Sequence, residues 1–385
     1  MTLSAAPAQP RVALVLGGGG LKGFAHIGVL RALEERGIVP SLYAGTSIGA
    51  LIAAASAGGM SYQDMGERAM ALRRRDLFRI NHLGMLVDRM KAPSIYLEQP
   101  LRDLVASVVP DVNFTALHTP LVVNTVDVEH AVQVIWGLRG LDDVSVRDAV
   151  YASCALPGYF PPARVGDRLC IDGGTVDNLP VNVATRGADF IIAVDVGSAE
   201  MTPLRNAHAL GFAALYMRAA TVMFHQLQQF PLERWQGPPM VLVRPRLDSG
   251  TWLDFTHTEA NIAEGYRAAV KALEHYEEYL DQPGSIFPRR RFEIVVDRDR
   301  CIGCGLCVAL APRLMGMDST GKAYSHTRIV DWSPADGDFV HHCPTAAIVT
   351  RKISPRDEAP ESEPIPSRAP TLDSAEPKAP VPATV

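Results

Sequence analysis

An apolar run of five residues, Val12–Leu16, ends abruptly in four consecutive glycines, Gly17–Gly20. Glycines in a row lose too much backbone entropy to extend a strand or a helix, so these four form a turn. The residues beyond have helical period. Ile27, Leu30 and Leu33 share one face, Arg31, Glu34 and Glu35 another, and Gly37 marks the stop. The order strand, glycine turn, helix then recurs as Ser41–Ala44, the turn Gly45–Gly49, and an alanine-rich helix ending at Gly58-Gly59. Such units favour a mainly parallel α/β sheet with helices on both faces. Further strands are expected over 121–128, 131–136, 168–171, 190–196 and 240–243, and helices over 207–229 and 259–279.

The chain has 385 residues, which at roughly 150 residues per domain allows two folded units and a tail. Its 37 basic and 42 acidic residues leave a net charge of -5, which argues against nucleic acid held on a broad basic face. The charge-free stretch 37–63 is broken by Pro40, Gly45, Gly49 and Gly58-Gly59, so it reads as buried strand, turn and helix rather than a membrane span. No secretory leader is expected, because residues 1–9 carry no Lys or Arg and the apolar run that follows is short. A cytoplasmic protein is the resulting expectation. Residues 1–10 read as an N-terminal extension, 11–282 as the large domain, 283–291 as a linker and 292–352 as a small domain. From 353 to 385, eight of 33 residues are proline, a composition expected to stay disordered.

Gly45-Thr46-Ser47-Ile48-Gly49 fits G-x-S-x-G between a strand and a helix, the setting of a nucleophile elbow. Glycines on either side of Ser47 permit a strained bend that exposes the hydroxyl at a helix start. The alternative is a small-residue helix start in a packed sheet. The turn at Gly18, Gly19, Gly20, Leu21, Lys22 and Gly23 also raises the question of a dinucleotide site. That reading needs an acidic residue at the end of the next strand, where Ala44-Gly45 stands instead. A P-loop fails because Lys22 is followed by Gly23. Bunched glycine amides can instead receive the oxyanion of an acyl-transfer intermediate. Asp172, in Asp172-Gly173-Gly174 directly after a strand, is the candidate base, with a plain Asp-Gly turn as the alternative.

These motifs in this order, with Ala152-Ser153-Cys154-Ala155-Leu156-Pro157 between them, resemble the patatin-like phospholipases, particularly the bacterial branch akin to the neuropathy target esterase domain. The resemblance covers roughly residues 10 to 280. It implies a three-layer α/β fold and lipid acyl ester hydrolysis by a Ser-Asp dyad without histidine. Ser47 would be the nucleophile, Asp172 the base, and Gly18, Gly19, Gly20 and Gly23 the oxyanion turn. A Ser-His-Asp triad stays open on the sequence, since seven of eleven histidines follow Asp172. The stretch 68–91 holds seven basic residues against Asp76 and Asp88, with Leu72, Leu77, Phe78, Ile80, Leu83, Met85, Leu86 and Met90 interleaved. That pattern fits peripheral contact with an anionic membrane, at the inner face for a cytoplasmic protein, or equally a helix packed on its own domain.

Four of the six cysteines fall late, as Cys301, Cys304, Cys307 and the Cys343-Pro344 pair. Three thiolates spaced by two residues and a remote fourth suit the corners of an iron–sulfur cube, whereas structural zinc favours two C-x2-C pairs. The segment 292–347 resembles single-cluster bacterial-type ferredoxins, which implies a small α+β domain with one [4Fe-4S] cluster; regulation, docking of a redox partner protein and a purely structural role stay open for it. The combined expectation is a serine acyl hydrolase with an appended electron-transfer or redox-sensing module. The competing class is a redox protein whose large half mainly binds lipid.

Overall fold

The computed structural model describes residues 10–81, 94–185, 188–197, 237–247, 254–276, 290–332, 339–340 and 343–353, with scattered positions from 211 to 235. The expected tail, most of the linker, most of the 207–229 helix and the 82–91 half of the basic stretch lie outside them.

The large sheet runs β5 (Ala163–Val165), β6 (Arg168–Asp172), β3 (Leu121–Asp127), β2 (Leu42–Thr46), β1 (Val12–Leu16), β7 (Phe190–Val194), β8 (Met240–Val243), with β4 (Val132–Trp136) paired to β3. β1 alternates between two cores. Val12, Leu14 and Leu16 face the layer built by α1 (Ala25–Glu35), α2 (Ile48–Ala57) and a later helix, while Ala13 and Val15 face Leu179, Val181 and Trp235. This double burial explains why β1 is apolar throughout rather than alternating.

The sheet is mainly parallel, with an antiparallel portion at one side. β3, β2, β1, β7 and β8 are parallel, but β4 and β6 run antiparallel to β3 and β5 antiparallel to β6. β4 occupies one edge of β3 along Val123–Asp127. β2 pairs with β3 up to Thr46↔Asn124, and β6 arrives from the opposite direction to Thr125↔Asp172. A strand has only two edges, so β2 and β6 share the remaining one and meet end to end. The residues that leave those two ends are Ser47 and Asp172.

Further helices of this unit include α3 (Tyr62–Ala71), α4 (Glu98–Val108) and α5 (Val146–Cys154), followed late in the chain by α6 (Thr258–Ala272). α6 starts where expected but ends at Ala272 rather than 279. It crosses α1 in backbone contact: a Cβ on Gly28 would lie 1.9 Å from the Ile262 carbonyl oxygen, and one on Gly265 1.9 Å from that of Ala25.

In the C-terminal region β9 (Arg290–Val296) is the centre of an antiparallel sheet between β12 (Ile329–Trp332) and β13 (Ile348–Lys352). β10 (Met315–Met317) and β11 (Ala323–Ser325) form a hairpin, and α7 (Leu306–Leu310) is a single short helix. Cys301 and Cys307 sit in one core with Ile294, Met315, Trp332 and Phe339.

Candidate active site

Ser47 occupies the junction of β2 and α2 with φ 56° and ψ -128°, a backbone state that a side chain rarely tolerates. Its flanking glycines are dictated by space. A Cβ on Gly45 would lie 2.6 Å from the Ala50 nitrogen, and one on Gly49 2.1 Å from the Leu16 carbonyl oxygen. The bend is held from below. The Ser47 N–H donates to Ser153 Oγ at 2.9 Å, and that hydroxyl donates to the Asn124 carbonyl at 2.7 Å. Ser153 is fully buried on α5.

The Ser47 side chain stabilises the ionised form of the Asp172 carboxylate, which accepts the Gly174 N–H at 2.8 Å. Asp172 is only 3% exposed. Burial raises its pKa to about 6, against the opposing pull of the Gly174 and Ser47 hydrogen bonds. Burial, and secondarily Asp172 itself, push the nearby Cys154 thiol well up, so it stays neutral. His26, His130 and His257 are engaged elsewhere, on the Gly17 carbonyl, Asp127 and Asp254. Burial lowers the His26 pKa to about 4, which keeps it a neutral donor to the glycine turn at 2.8 Å.

The glycine turn lies against the elbow: a Cβ on Gly18 would be 3.2 Å from Ser47 Cβ. Its four glycines are not equivalent. The Gly18 N–H is already donated to the Asn178 carbonyl at 3.0 Å, which removes it as an oxyanion donor. Gly23 packs on α2, where a Cβ would lie 2.2 Å from Ile48 Cγ2. Gly19 is extended and Gly20 turns at φ 58°, so these two form the bend itself.

Sequence reasoning missed Ser153 as an anchor, and Asn124 altogether. Asn124 Nδ2 donates to Thr46 Oγ1, the Gly173 carbonyl and the Asp177 carbonyl at 3.1, 3.2 and 2.6 Å, tying β2, β3 and the Asp172 loop together. Asp177 is also displaced by burial, to about 6. The basic stretch is split. Arg73, Arg74, Arg75 and Arg79 are exposed, but Leu77 and Phe78 are buried, Phe78 against Tyr96, Phe160 and Phe255. Those two apolar side chains serve the protein's own core. No helix among the described residues is long and apolar enough to cross a membrane.

Cys301, Cys304, Cys307 and Cys343 line one hollow. The Ala323 N–H reaches Cys301 Sγ at 3.4 Å and the Ala347 N–H reaches Cys343 Sγ at 3.3 Å. Cys304 is exposed, while Cys301 and Cys307 are buried. Among the described residues no group of three or more His, Cys, Asp or Glu is set to hold a single metal ion. Four cysteines around one hollow offer the kind of donor set that an iron–sulfur cluster takes.

Comparison with known proteins bears on both sites. Residues 14–185 match the family model of patatin-like phospholipase, and residues 294–350 match the 4Fe-4S single cluster domain. An uncharacterized NTE family protein of Mycobacterium tuberculosis is 36% identical over 200 residues, 52% of each chain. Patatin-like phospholipase domain-containing protein 6 of Homo sapiens is 35% identical over 197 residues, 50% of this chain and 14% of that protein. Among solved structures, VipD from Legionella pneumophila aligns at 16% identity with a TM-score of 0.39, over 70% of this chain and 68% of that one. The chain spans about half the length of the mycobacterial relative and less of the human one. Residues 14–185 thus form a patatin-like phospholipase domain.

Proposed function

We propose that the chain is a serine acyl hydrolase that cleaves lipid acyl esters with Ser47 as nucleophile and Asp172 as sole base. The observation that carries this reading is that β2 and β6 meet end to end on β3, which brings Ser47 to a buried carboxylate of raised pKa. A carboxylate that must take an alcohol proton directly gains from such a shift, because its affinity for that proton is greater. Ser47 Oγ attacks the ester carbonyl while its proton passes to Asp172. The carbonyl oxygen becomes an oxyanion facing the Gly19 and Gly20 amides, the turn's remaining donors. Collapse expels the alcohol, which leaves with the proton from Asp172, and an acyl-Ser47 ester remains. Water, giving a proton to Asp172, attacks that ester; fatty acid departs and Ser47 recovers its proton.

The hydrolase unit is assigned to 11–282 and the small module to 292–352. In the module, Cys301, Cys304, Cys307 and Cys343 hold one [4Fe-4S] cluster, which would supply one-electron chemistry when bound. The exposed arginines 73–75 and 79 support peripheral contact with anionic lipid, and a redox protein is the partner the module fits. Turnover of an acyl ester by wild type, lost in Ser47→Ala and Asp172→Asn but kept in each downstream His→Ala variant, tests the reading. A single essential histidine would replace the dyad with a triad, turnover persisting in Ser47→Ala would remove Ser47 as nucleophile, and no turnover by wild type would leave only lipid binding.

A further inference from the structure

The Asn178 side chain is wedged between the two halves of the site. A Cβ on Gly18 would lie 2.3 Å from Asn178 Oδ1, and one on Gly174, the residue whose amide holds Asp172, 2.9 Å from the same atom. Asn178 also grips Gly18 at both ends: its carbonyl accepts the Gly18 N–H at 3.0 Å, and its Nδ2 donates to the Gly18 carbonyl at 2.9 Å. The second of these bonds has a consequence one peptide further on. In a trans peptide the C=O of one residue and the N–H of the next are fixed in one plane and point in opposite directions. All peptide bonds here are trans. Holding the Gly18 carbonyl therefore fixes the direction of the Gly19 N–H, in a turn whose glycines would otherwise leave that plane free to rotate.

We propose that Asn178 is the positioning residue of the oxyanion turn: by holding the Gly18 carbonyl, its Nδ2 aims the Gly19 amide at the negative oxygen that forms on the Ser47 adduct. The proposal rests on the acyl-hydrolase reading and extends it to a residue of the Asp172 loop. It also accounts for Asn178 standing in the same loop as Asp172. One side chain then sets the base and the oxyanion donor relative to each other, so the two cannot drift apart independently. A donor aimed by this bond acts on the transition state and not on the ground-state ester, so its loss falls on kcat.

Two variants test this with a p-nitrophenyl acyl ester and a trifluoromethyl ketone of matching chain length. Asn178→Leu keeps the branched shape without the donor, and Asn178→Ala removes the side chain; thermal unfolding reports whether each is folded, and either one suffices. The expected result is a fall in kcat of about 10- to 100-fold, somewhat below the loss of a whole donor, with KM within about twofold. Affinity for the ketone, whose hemiketal carries the same oxyanion, should weaken in proportion to kcat. Unchanged kcat, a rise in KM alone, or ketone affinity that stays constant while kcat falls would overturn the assignment. Wild type that neither hydrolyses the ester nor binds the ketone would instead remove the hydrolase reading on which it stands.

Discussion

In the proposed reaction Asp172 is under two opposed demands, since the burial that would strengthen it as a base also makes its ionised form costly. The rate consequence is direct: with a pKa of about 6, hydrolysis should rise about tenfold per pH unit below that value and level off above it. A rate flat down to pH 4.5 would show that the carboxylate is not the group titrated. The stability consequence has the opposite sign. The folded pKa lies above the unfolded one, so the native state holds the proton more tightly and loses stability as pH climbs from about 4 to 6. Two pK units correspond to at most about 3 kcal/mol. Asp172→Asn should therefore stabilise the protein to urea at pH 8 by about 1–3 kcal/mol and by little at pH 4. Asp177, displaced in the same direction, preserves part of the dependence in that variant. Ser47 and Asp172 were legible in the sequence because each stands among glycines that its backbone geometry requires. Ser153, Asn124 and Asn178 were not: each spends its side chain on main-chain groups remote in sequence, and a bond to the backbone leaves no residue pattern at its partner.

At the level of elements, the strand–turn–helix reading of β1 to α2 was correct because glycine placement and hydrophobic period agree there. The direction of β6 was unreadable, since alternation is the same for parallel and antiparallel strands. Gly166, at φ 57° between three-residue β5 and β6, makes the hairpin that sets it, and β5 is too short to leave a pattern. That reversal is what brings Asp172 to Ser47, so the least legible element decides the site. α5 has a matching role, because Ser153 joins it to the elbow and to β3 at once. Ser153→Ala would leave the Ser47 amide and the Asn124 carbonyl buried without this partner, at a cost of about 1–3 kcal/mol. Urea unfolding should show that loss, together with a lower kcat and little change in KM as the elbow relaxes. The crossing of α1 and α6 is stricter still: Gly265→Ala would force the two backbones apart and should lower Tm by several degrees while the dyad stays chemically intact.

Across the whole molecule two kinds of centre are organised by different physics. In the large sheet the site is made by strand ends and survives on packing alone. In the C-terminal module, Cys301 and Cys307 belong to the hydrophobic core itself, so whatever they bind also holds that core together. The spacing of the cysteines marked them as one group, but the sequence could not tell that Cys304 is exposed while Cys301 and Cys307 are buried. Anaerobically purified protein should carry about four irons and four sulfides per chain, and Cys343→Ala should lose them. Zinc in place of iron would refute the cluster. The sheets of the two regions share no strand. Removing the iron with a chelator under air should then unfold the module, seen as lost visible absorbance and faster proteolysis C-terminal to residue 290, yet leave ester hydrolysis within about twofold. A larger loss would mean that the cluster acts on the hydrolase and that the fusion is regulatory, because no bond within the large sheet depends on the module's core.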